Sequence, residues 1–277
     1  MKVSFKTGIQ EGSWDELLAV WQAGDKIERF AGGWSNDHLY NPLYPDHSDS
    51  PRAFDAFALL AGLSRETTRL RLGTMVAANL VRHPAVVARM AVTIDHLSCG
   101  RFELGLGAGW HEQEHADHGI DLLPVGDRVT AFDEACRVII SLLSEEETTL
   151  SGEFYRIDGA RSEPKPVQDR IPVVIGASGE RRMLRIVALY ADHWNIDDPG
   201  PEVLARKIEV LERHCAEVGR DPAKIEYSVQ LWVGDTVDGL REKVIALRDV
   251  GADHAVVSLR RPDPAVLEAV AEALAEV

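Results

Sequence analysis

Short apolar runs alternate with longer amphipathic stretches along nearly the whole chain. Runs such as VVI at 173–175 and AVV at 255–257 are apolar at successive positions, which is typical of strands that are covered on both faces. The pattern predicts eight strands, at residues 3–9, 29–33, 71–77, 102–106, 172–175, 193–196, 226–233 and 254–259.

The segments between these runs carry apolar residues at helical spacing. In the stretch that begins at Pro84, the residues Val87, Met90 and Ile94 fall on one face, and proline is typical of a first helical position. Further helices are predicted at 14–23, 53–63, 125–143, 181–190, 201–218, 240–250 and 264–276. Repeated strand-to-helix units predict an α/β fold, a closed TIM (β/α)8 barrel, and we expect residues 1–277 to form this single domain.

One stretch interrupts the alternation of strands and helices. Residues 150–170 are rich in proline, glycine and charge, and Phe154 and Tyr155 are their aromatic residues. We predict an insertion before the fifth barrel strand that lies over the barrel mouth as a lid. A solvated connector without a function is an equal alternative.

Polar residues follow the predicted strands, where TIM barrels place their chemistry. The pair Asp37-His38 comes directly after the second strand and follows Trp34 closely. A carboxylate beside an imidazole can tune a proton donor near neutral pH, although such pairs also form turns and helix caps.

Two glycine-rich loops follow later strands. The first reads GLGAG at 105–109, where glycine lets the backbone approach a ligand closely, and its spacing is not that of a dinucleotide-binding fingerprint. The second precedes a predicted helix that carries Arg182, and exposed helix N–H groups with a hydroxyl and an arginine suit a phosphate group. Its residues are Gly176, Ala177, Ser178 and Gly179. An ordinary strand-to-helix turn that needs glycine is the alternative.

The segment from His111 to His115 reads H-E-x-x-H, which is the motif of zinc peptidases. Two imidazoles four residues apart on a helix can share a zinc ion, with Glu112 as the base. The longer metzincin pattern is not met, because position 121 is aspartate, and the motif follows a barrel strand. Zinc hydrolysis is therefore a minor alternative, and we expect no metal.

Three segments together resemble one known family. They are GTMVAANLVRHPA at 73–85, LSCGR at 97–101 and GLGAGWHEQEH at 105–115. In these the chain resembles the luciferase-like flavin and deazaflavin oxidoreductases, and within them it is most similar to the branch that depends on coenzyme F420. The resemblance extends from Trp34 to Asn195.

This resemblance implies a barrel of the bacterial luciferase type that transfers hydride between F420 and an unknown small organic substrate. It implies His38 as the acid or base and Asp37 as its supporting neighbour. It also implies that the third strand supports the cofactor ring through a cis peptide between Met75 and Val76. From the residues alone, an ordinary packed strand is the alternative.

The same resemblance assigns further residues around the barrel mouth. It implies a cofactor site built from Thr74, Met75, Val76, Asn79, Gly107, Ala108, Gly109, Trp110, Gly176, Ala177, Ser178, Gly179 and Arg182. It places Trp34 and Trp110 on the substrate side and leaves Glu112 or Glu114 as carboxylates at the mouth. Trp110 occupies the position where sugar-phosphate dehydrogenases of the superfamily carry a glutamate, which argues against a sugar phosphate substrate.

Two alternatives keep the fold. An FMN-dependent monooxygenase would receive reduced flavin from a separate reductase, and a non-catalytic relative would bind flavin without turnover. The family resemblance also suggests a homodimer.

The composition limits which binding partners and which cellular compartment we expect for the protein. A formal net charge of −15 on 277 residues argues against nucleic acid and against anionic membrane surfaces. The N-terminal stretch lacks the apolar segment of a signal peptide, and no apolar run approaches about 18 residues. The three cysteines, Cys99, Cys136 and Cys215, form no C-x-x-C pair. We therefore expect a cytoplasmic protein.

Overall fold

The computed structural model describes residues 1–10, 12–42 and 52–277. The parallel strands form one sheet that closes into a barrel, and two further strands form an antiparallel pair outside it. In chain order the strands are β1 (Lys2–Thr7), β2 (Phe30–Ser35), β3 (Arg71–Thr74), β4 (Ala77–Ala78), β5 (Phe102–Gly107), β6 (Thr148–Ser151), β7 (Arg156–Ala160), β8 (Val173–Gly176), β9 (His193–Asp197), β10 (Glu226–Val233) and β11 (His254–Leu259).

The barrel closes because its first and last strands pair in parallel, with Lys2 opposite His254 and Thr7 opposite Leu259. Around the ring, β1 is followed by β2, then by β3 with β4, and then by β5, β8, β9, β10 and β11. Each of the eight predicted runs overlaps a barrel strand, so the predicted TIM (β/α)8 fold is confirmed.

Helices follow the barrel strands on the outside of the ring. They are α1 (Trp14–Lys26), α2 (Ala56–Glu66), α3 (Pro84–Leu97), α4 (Glu112–Asp117), α5 (Val125–Ser144), α6 (Met183–Tyr190), α7 (Pro201–Val218), α8 (Leu240–Asp249) and α9 (Pro264–Ala273), with a 3₁₀ turn at Pro222–Lys224. The described helices include none with both the length and the apolar character needed to cross a bilayer.

Side-chain caps determine where several helices begin. Ser13 and Glu16 form a reciprocal capping box at the start of α1. The helix predicted from residue 53 begins at Ala56 instead, because the Asp55 side chain accepts the N–H of Ala58. Helix α4 was not predicted, since six residues are too few to show a helical repeat.

The barrel interior and the layer beneath the helices are packed separately. Trp34, Met75, Val174 and Val256 form an apolar cluster inside the ring. Outside it, strand and helix side chains make the larger core, in which Phe5 contacts the rings of Trp21 and Phe30 edge-on at 5.4 Å.

The antiparallel pair β6–β7 lies in the chain between α5 and the fifth barrel strand, β8, where the insertion was predicted. Glu134 of α5 anchors the turn, because its buried carboxylate accepts the N–H groups of Glu153, Phe154 and Tyr155 at 2.7–3.0 Å. The Tyr155 hydroxyl donates to Asn79 Oδ1 at 3.4 Å. The hairpin thus contacts the loop after β4, and its function as a lid stays a prediction.

Glycine allows β3 and β5 to approach closely below the barrel mouth. The Thr74 hydroxyl donates to the Gly105 carbonyl at 2.7 Å and accepts the Gly105 N–H at 3.0 Å. A β-carbon at Gly105 would lie 1.8 Å from the Thr74 carbonyl oxygen, so a side chain there would force the two strands apart.

We therefore expect Gly105→Ala to lower the free energy of unfolding by about 2 kcal/mol or more, because overpacking here displaces backbone. The matched control is Gly126→Ala in α5, where an added β-carbon meets nothing within 4 Å. The control should be neutral or stabilising by up to about 1 kcal/mol. Equal urea unfolding curves for the two variants would contradict the packing described here.

Candidate functional site

A cavity of about 770 Å³ opens at the carboxyl ends of the barrel strands, where TIM-barrel enzymes place their active sites. Most of the residues predicted from the sequence line it. They are Asp37, His38, Met75, Val76, Gly107, Ala108, Gly109, Trp110, Glu114, Gly176, Ala177, Ser178 and Gly179. Four predicted residues, Trp34, Thr74, Asn79 and Arg182, do not line it.

His38 is held by a carboxylate that is distant in sequence. Its Nδ1 lies 3.0 Å from Glu114 Oε2 and 3.3 Å from Oε1, and Oε1 also accepts the backbone N–H of Leu39. The Trp110 ring contacts the His38 ring edge-on at 5.9 Å. His38 thus enters the cavity wall with one ring nitrogen engaged by a carboxylate.

The Glu114 carboxyl is ionised at neutral pH. Burial raises the pKa of Glu114, but the hydrogen bond and charge of His38, with the N–H of Leu39, hold that pKa below its ordinary value. A carboxylate at this place favours the tautomer in which His38 Nδ1 carries the proton, which leaves Nε2 as the nitrogen that exchanges protons.

The Asp37 side chain is directed to Arg82 and interacts with His38 through its charge, so its role as the supporting neighbour of His38 stays a prediction. Its buried carboxylate accepts from Arg82 Nη1 at 2.6 Å, and Arg82 also pairs with Asp55. The Arg82 guanidinium lies over the Phe57 ring, 5.0 Å from its centroid. Burial raises the pKa of the Asp37 carboxyl, although the charge of Arg82 opposes that rise. Asp37 therefore secures the loop after β2 to α2 and to the loop before α3.

The cis peptide predicted between Met75 and Val76 is present, at the break between β3 and β4. Both residues line the cavity, and the Val76 side chain fills space beside two glycines of neighbouring strands. A β-carbon on Gly107 would lie 2.6 Å from Val76 Cγ2, and one on Gly176 would lie 3.2 Å from both Val76 methyl groups. The position of the Val76 side chain, between β3 and β4, therefore requires glycine at Gly107 of β5 and at Gly176 of β8.

Thr74, Asn79 and Trp34 lie beside or beneath the cavity instead of lining it. The buried Thr74 hydroxyl is occupied by Gly105, so its predicted cofactor contact is corrected to a strand-to-strand clamp. Asn79 donates its backbone N–H to the Gly107 carbonyl at 2.8 Å, and its side chain meets Tyr155. Trp34 packs inside the barrel with 2% of its surface exposed, which corrects its predicted place on the substrate side.

Arg182 supports the second glycine-rich loop from outside. It precedes α6 and donates to the Gly126 carbonyl at 2.8 Å and to Thr130 Oγ1 at 2.9 Å, which joins α6 to the first turns of α5. Arg128, on the same turns, lines the cavity in its place. The predicted arginine is thus a tie between helices, and the cavity cation on this side is Arg128.

The sequence analysis also missed a polar network on the wall formed by β1, β9 and β10. Lys6 Nζ donates to Gln230 Oε1 at 2.8 Å and lies 5.4 Å from the centroid of the Trp232 ring. Gln230 and Trp232 both donate to Asp197 Oδ1, at 2.7 and 3.1 Å. The available signal was the alternation of polar and apolar residues in both β1 and β10, which directs every second side chain to the barrel interior.

Folding removes the Lys6 ammonium group from water, which disfavours its charged form. Burial lowers the pKa of Lys6 from its ordinary 10.5 to about 8, although the charge of Asp197 raises it. A perturbed cation in a cavity wall is a feature of functional sites.

The H-E-x-x-H segment does not assemble a zinc site. Its helix α4 has six residues, and His111 stands before it as the cap, with Nδ1 accepting the Glu114 N–H at 3.0 Å. Glu112 is exposed, His115 is buried, and His118 Nδ1 contacts the Glu114 carbonyl at 2.8 Å. Within the described ranges, the histidine and carboxylate donors that lie close enough to share an ion occur at the other end of the barrel.

We expect Lys6→Met to stabilise the protein at pH 7 by about 1–3 kcal/mol, because it removes a buried charge of depressed pKa. Protonated Lys6 costs stability below its folded pKa of about 8, and this cost disappears as the pH rises toward 10.5, so the advantage of the variant should shrink over that window. Exposed Lys26→Met is the control and should change little. Destabilisation of Lys6→Met at pH 7 would show that its hydrogen bond outweighs its burial.

The chain matches known sequences over most of its length. A sequence model described as luciferase-like monooxygenase matches residues 8–274. An uncharacterized protein of Mycobacterium tuberculosis is 33% identical over 218 residues, which cover 76% of this chain and 75% of that protein. Pyrimidine monooxygenase RutA of Rhizobium rhizogenes is 32% identical over 212 residues, which cover 74% of this chain and 56% of the relative.

Solved structures of other proteins have the same fold as this chain. An F420-dependent secondary alcohol dehydrogenase in complex with an F420-acetone adduct has a TM-score of 0.87 at 18% identity, over 99% of this chain and 98% of the other. At that identity the likeness concerns the fold, whereas the sequence model covers every barrel strand except β1. The chain belongs to the luciferase-like monooxygenase family and is an enzyme of its oxidoreductase and monooxygenase class.

Proposed function

We propose that the chain is a coenzyme F420-dependent oxidoreductase that transfers hydride to or from a small organic substrate. The observation that carries this proposal is the His38–Glu114 pair in the wall of the cavity at the carboxyl ends of the barrel strands. When bound, a deazaflavin supplies two-electron hydride chemistry, so the protein must orient the ring, bind the substrate and manage one proton.

At about 770 Å³ the cavity has the volume of a cofactor site. Gly107 makes room for the Val76 side chain, and Ala108 and Gly109 follow it, so backbone and small side chains form this wall. The loop from Gly176 to Gly179 and Arg128 line the same cavity, and they offer backbone N–H groups, a hydroxyl and a cation to a phosphate. The assigned cofactor-binding residues are therefore Met75, Val76, Gly107, Ala108, Gly109, Trp110, Gly176, Ala177, Ser178 and Gly179, with Arg128 added.

His38 is the proposed acid or base. The Glu114 carboxylate orients the imidazole through Nδ1, so that Nε2 can give a proton to a substrate oxygen or take one from it. Trp110 covers this side of the cavity, and Lys6 can donate to a polar group of the substrate from the opposite network. The hydrogen-bond partners of His38 and Lys6 hold these side chains in place before the substrate binds, which lowers the entropic cost of reaching the reactive geometry.

The sequence similarity to RutA favours a second candidate function. RutA, whose name is pyrimidine monooxygenase, matches 74% of the chain, which supports an FMN-dependent monooxygenase supplied by a separate reductase. The same cavity accommodates an FMN ring and phosphate. Homodimer formation and a cytoplasmic location remain part of the proposal for either cofactor.

Parallel titrations distinguish the two cofactors. We expect F420 to bind at least about 10-fold more tightly than FMN, with binding measured from the fluorescence of each ligand.

Arg128→Leu should weaken the binding of either phosphorylated ligand about 10-fold or more, because a charge-assisted contact is lost. Arg182→Leu is the matched control, since this arginine is engaged by α5. Tighter binding of FMN would transfer the assignment to the monooxygenase, and binding of neither ligand would refute both.

Three variants test the proton relay. His38→Ala should leave F420 affinity near wild type and lower turnover at least about 100-fold, measured as oxidation of reduced F420 by a panel of small ketones, aldehydes and unsaturated carbonyl compounds. Glu114→Gln should lower turnover at least about 10-fold, because it removes the orienting charge. Asp37→Asn should retain turnover within a few-fold, since Asp37 serves Arg82. Turnover of His38→Ala at the wild-type rate would remove the assignment of that residue.

A further inference from the structure

A second cluster of histidine and carboxylate side chains lies at the amino ends of the barrel strands, remote from the cavity. His193, Glu226 and His254 are the first residues of β9, β10 and β11. Glu226 is the strand partner of His193, and the three donor atoms that these residues offer lie within 4.8 Å of one another. Their side chains lie close together because β9, β10 and β11 are neighbours that begin at the same end of the ring, although the strand partner of His254 is Ser228.

The two imidazoles are buried and stacked, with ring centroids 5.4 Å apart and planes 25° apart. His254 Nδ1 lies 2.6 Å from Glu226 Oε1, and its Nε2 lies 2.8 Å from Ser4 Oγ. His193 Nδ1 lies 3.7 Å from Glu103 Oε2. The other nitrogen of this ring, Nε2, is buried and has no hydrogen-bond partner, in a residue that is 3% exposed.

A buried nitrogen without a partner is costly, and a bound cation would remove that cost. The cluster offers two imidazole nitrogens and one carboxylate oxygen, which is a donor set that zinc accepts. Donor atoms around a tetrahedral zinc lie roughly 3.3 Å apart, so the 2.6 Å contact between His254 Nδ1 and Glu226 Oε1 would lengthen. The proton of that hydrogen bond would leave to solvent as the ion binds. The partners of the outer ring atoms, Glu103 and Ser4, would orient the two imidazoles as the outer contacts of metal-bound histidine commonly do.

The surrounding charges are compatible with a cation. Lys2 pairs with Glu226 through Oε2, which leaves Oε1 directed to the histidine side. Glu103 adds a second carboxylate to the cluster, and Arg71 pairs with it from its outer side.

We propose that His193 Nε2, His254 Nδ1 and Glu226 Oε1 bind one divalent transition metal ion of the zinc type at the base of the barrel. The ion ties the starts of β9, β10 and β11 together and so stabilises the ring at the end opposite the cavity. It takes no part in the hydride chemistry, so the proposal is independent of the cofactor assignment.

The test uses the full-length chain, purified and treated with a chelator, and then titrated with Zn²⁺ by calorimetry and with Co²⁺ by visible absorption. We expect one ion per chain and a rise in the thermal midpoint on binding. His193→Gln and Glu226→Gln should each weaken binding roughly 100-fold or more and abolish that rise. Glu226 lies partly exposed at the rim, which makes its variant the second choice should His193→Gln fail to fold.

Two control variants locate the ion. His115→Gln alters the H-E-x-x-H segment, and His214→Gln alters a histidine of α7 that contacts Glu180 and Glu217. Both should bind metal as the wild type does. Loss of the ion in His115→Gln with retention in His193→Gln would move the site to the cavity, and absence of stoichiometric binding at micromolar concentrations would overturn the proposal.

Discussion

The parallel pairing of β1 with β11 is the constraint on which the rest of the structure depends. This pairing converts an open sheet into a ring, and so it brings the ends of all the barrel strands into two small circles. His38 after β2 and Glu114 after β5 meet because their strands, joined through β3, end at the same rim. His193, Glu226 and His254 meet at the other rim because β9, β10 and β11 are neighbours in the ring. Closure adds β1 to both places, since it brings Lys6 to Gln230 at the first rim and Ser4 to His254 at the second.

The charged side chains that are buried at the cavity end of the barrel have one energetic property in common. Asp37, Glu114 and Lys6 are each removed from water, and each is compensated by a particular partner: Arg82, His38 and Gln230. Burial of a charge is tolerated when good geometry repays it, and it rarely adds stability of its own. The compensation differs in kind, although all three residues line the cavity. Asp37 is paired with an arginine that secures a loop, whereas Glu114 is paired with the imidazole of His38. The partner therefore distinguishes the carboxylate that secures a loop from the carboxylate that holds His38.

The resemblance to a family assigned backbone features well and side-chain partnerships poorly. The cis step at Met75–Val76 and the glycines of β5 and β8 depend on local backbone, and they were identified before the structure. The carboxylate that hydrogen-bonds His38 is Glu114 and not its neighbour Asp37, because adjacency in sequence says little about contact in space. The Arg182 guanidinium likewise contacts α5, which its position after the glycine-rich loop did not indicate. Lys6 was overlooked although an inward lysine in a barrel strand is a readable signal.

The alternation of apolar runs and amphipathic stretches determined the number of strands, the parallel sheet and the edge at which chemistry gathers. These properties follow from the period of each element and from burial on both faces, which every residue of a segment helps to encode. Tertiary structure alone decided that Glu114 orients His38, that Thr74 clamps β5 and that Trp34 fills the barrel interior. These contacts join residues tens of positions apart, and their geometry arises only when the ring closes and each side chain takes the space its neighbours leave.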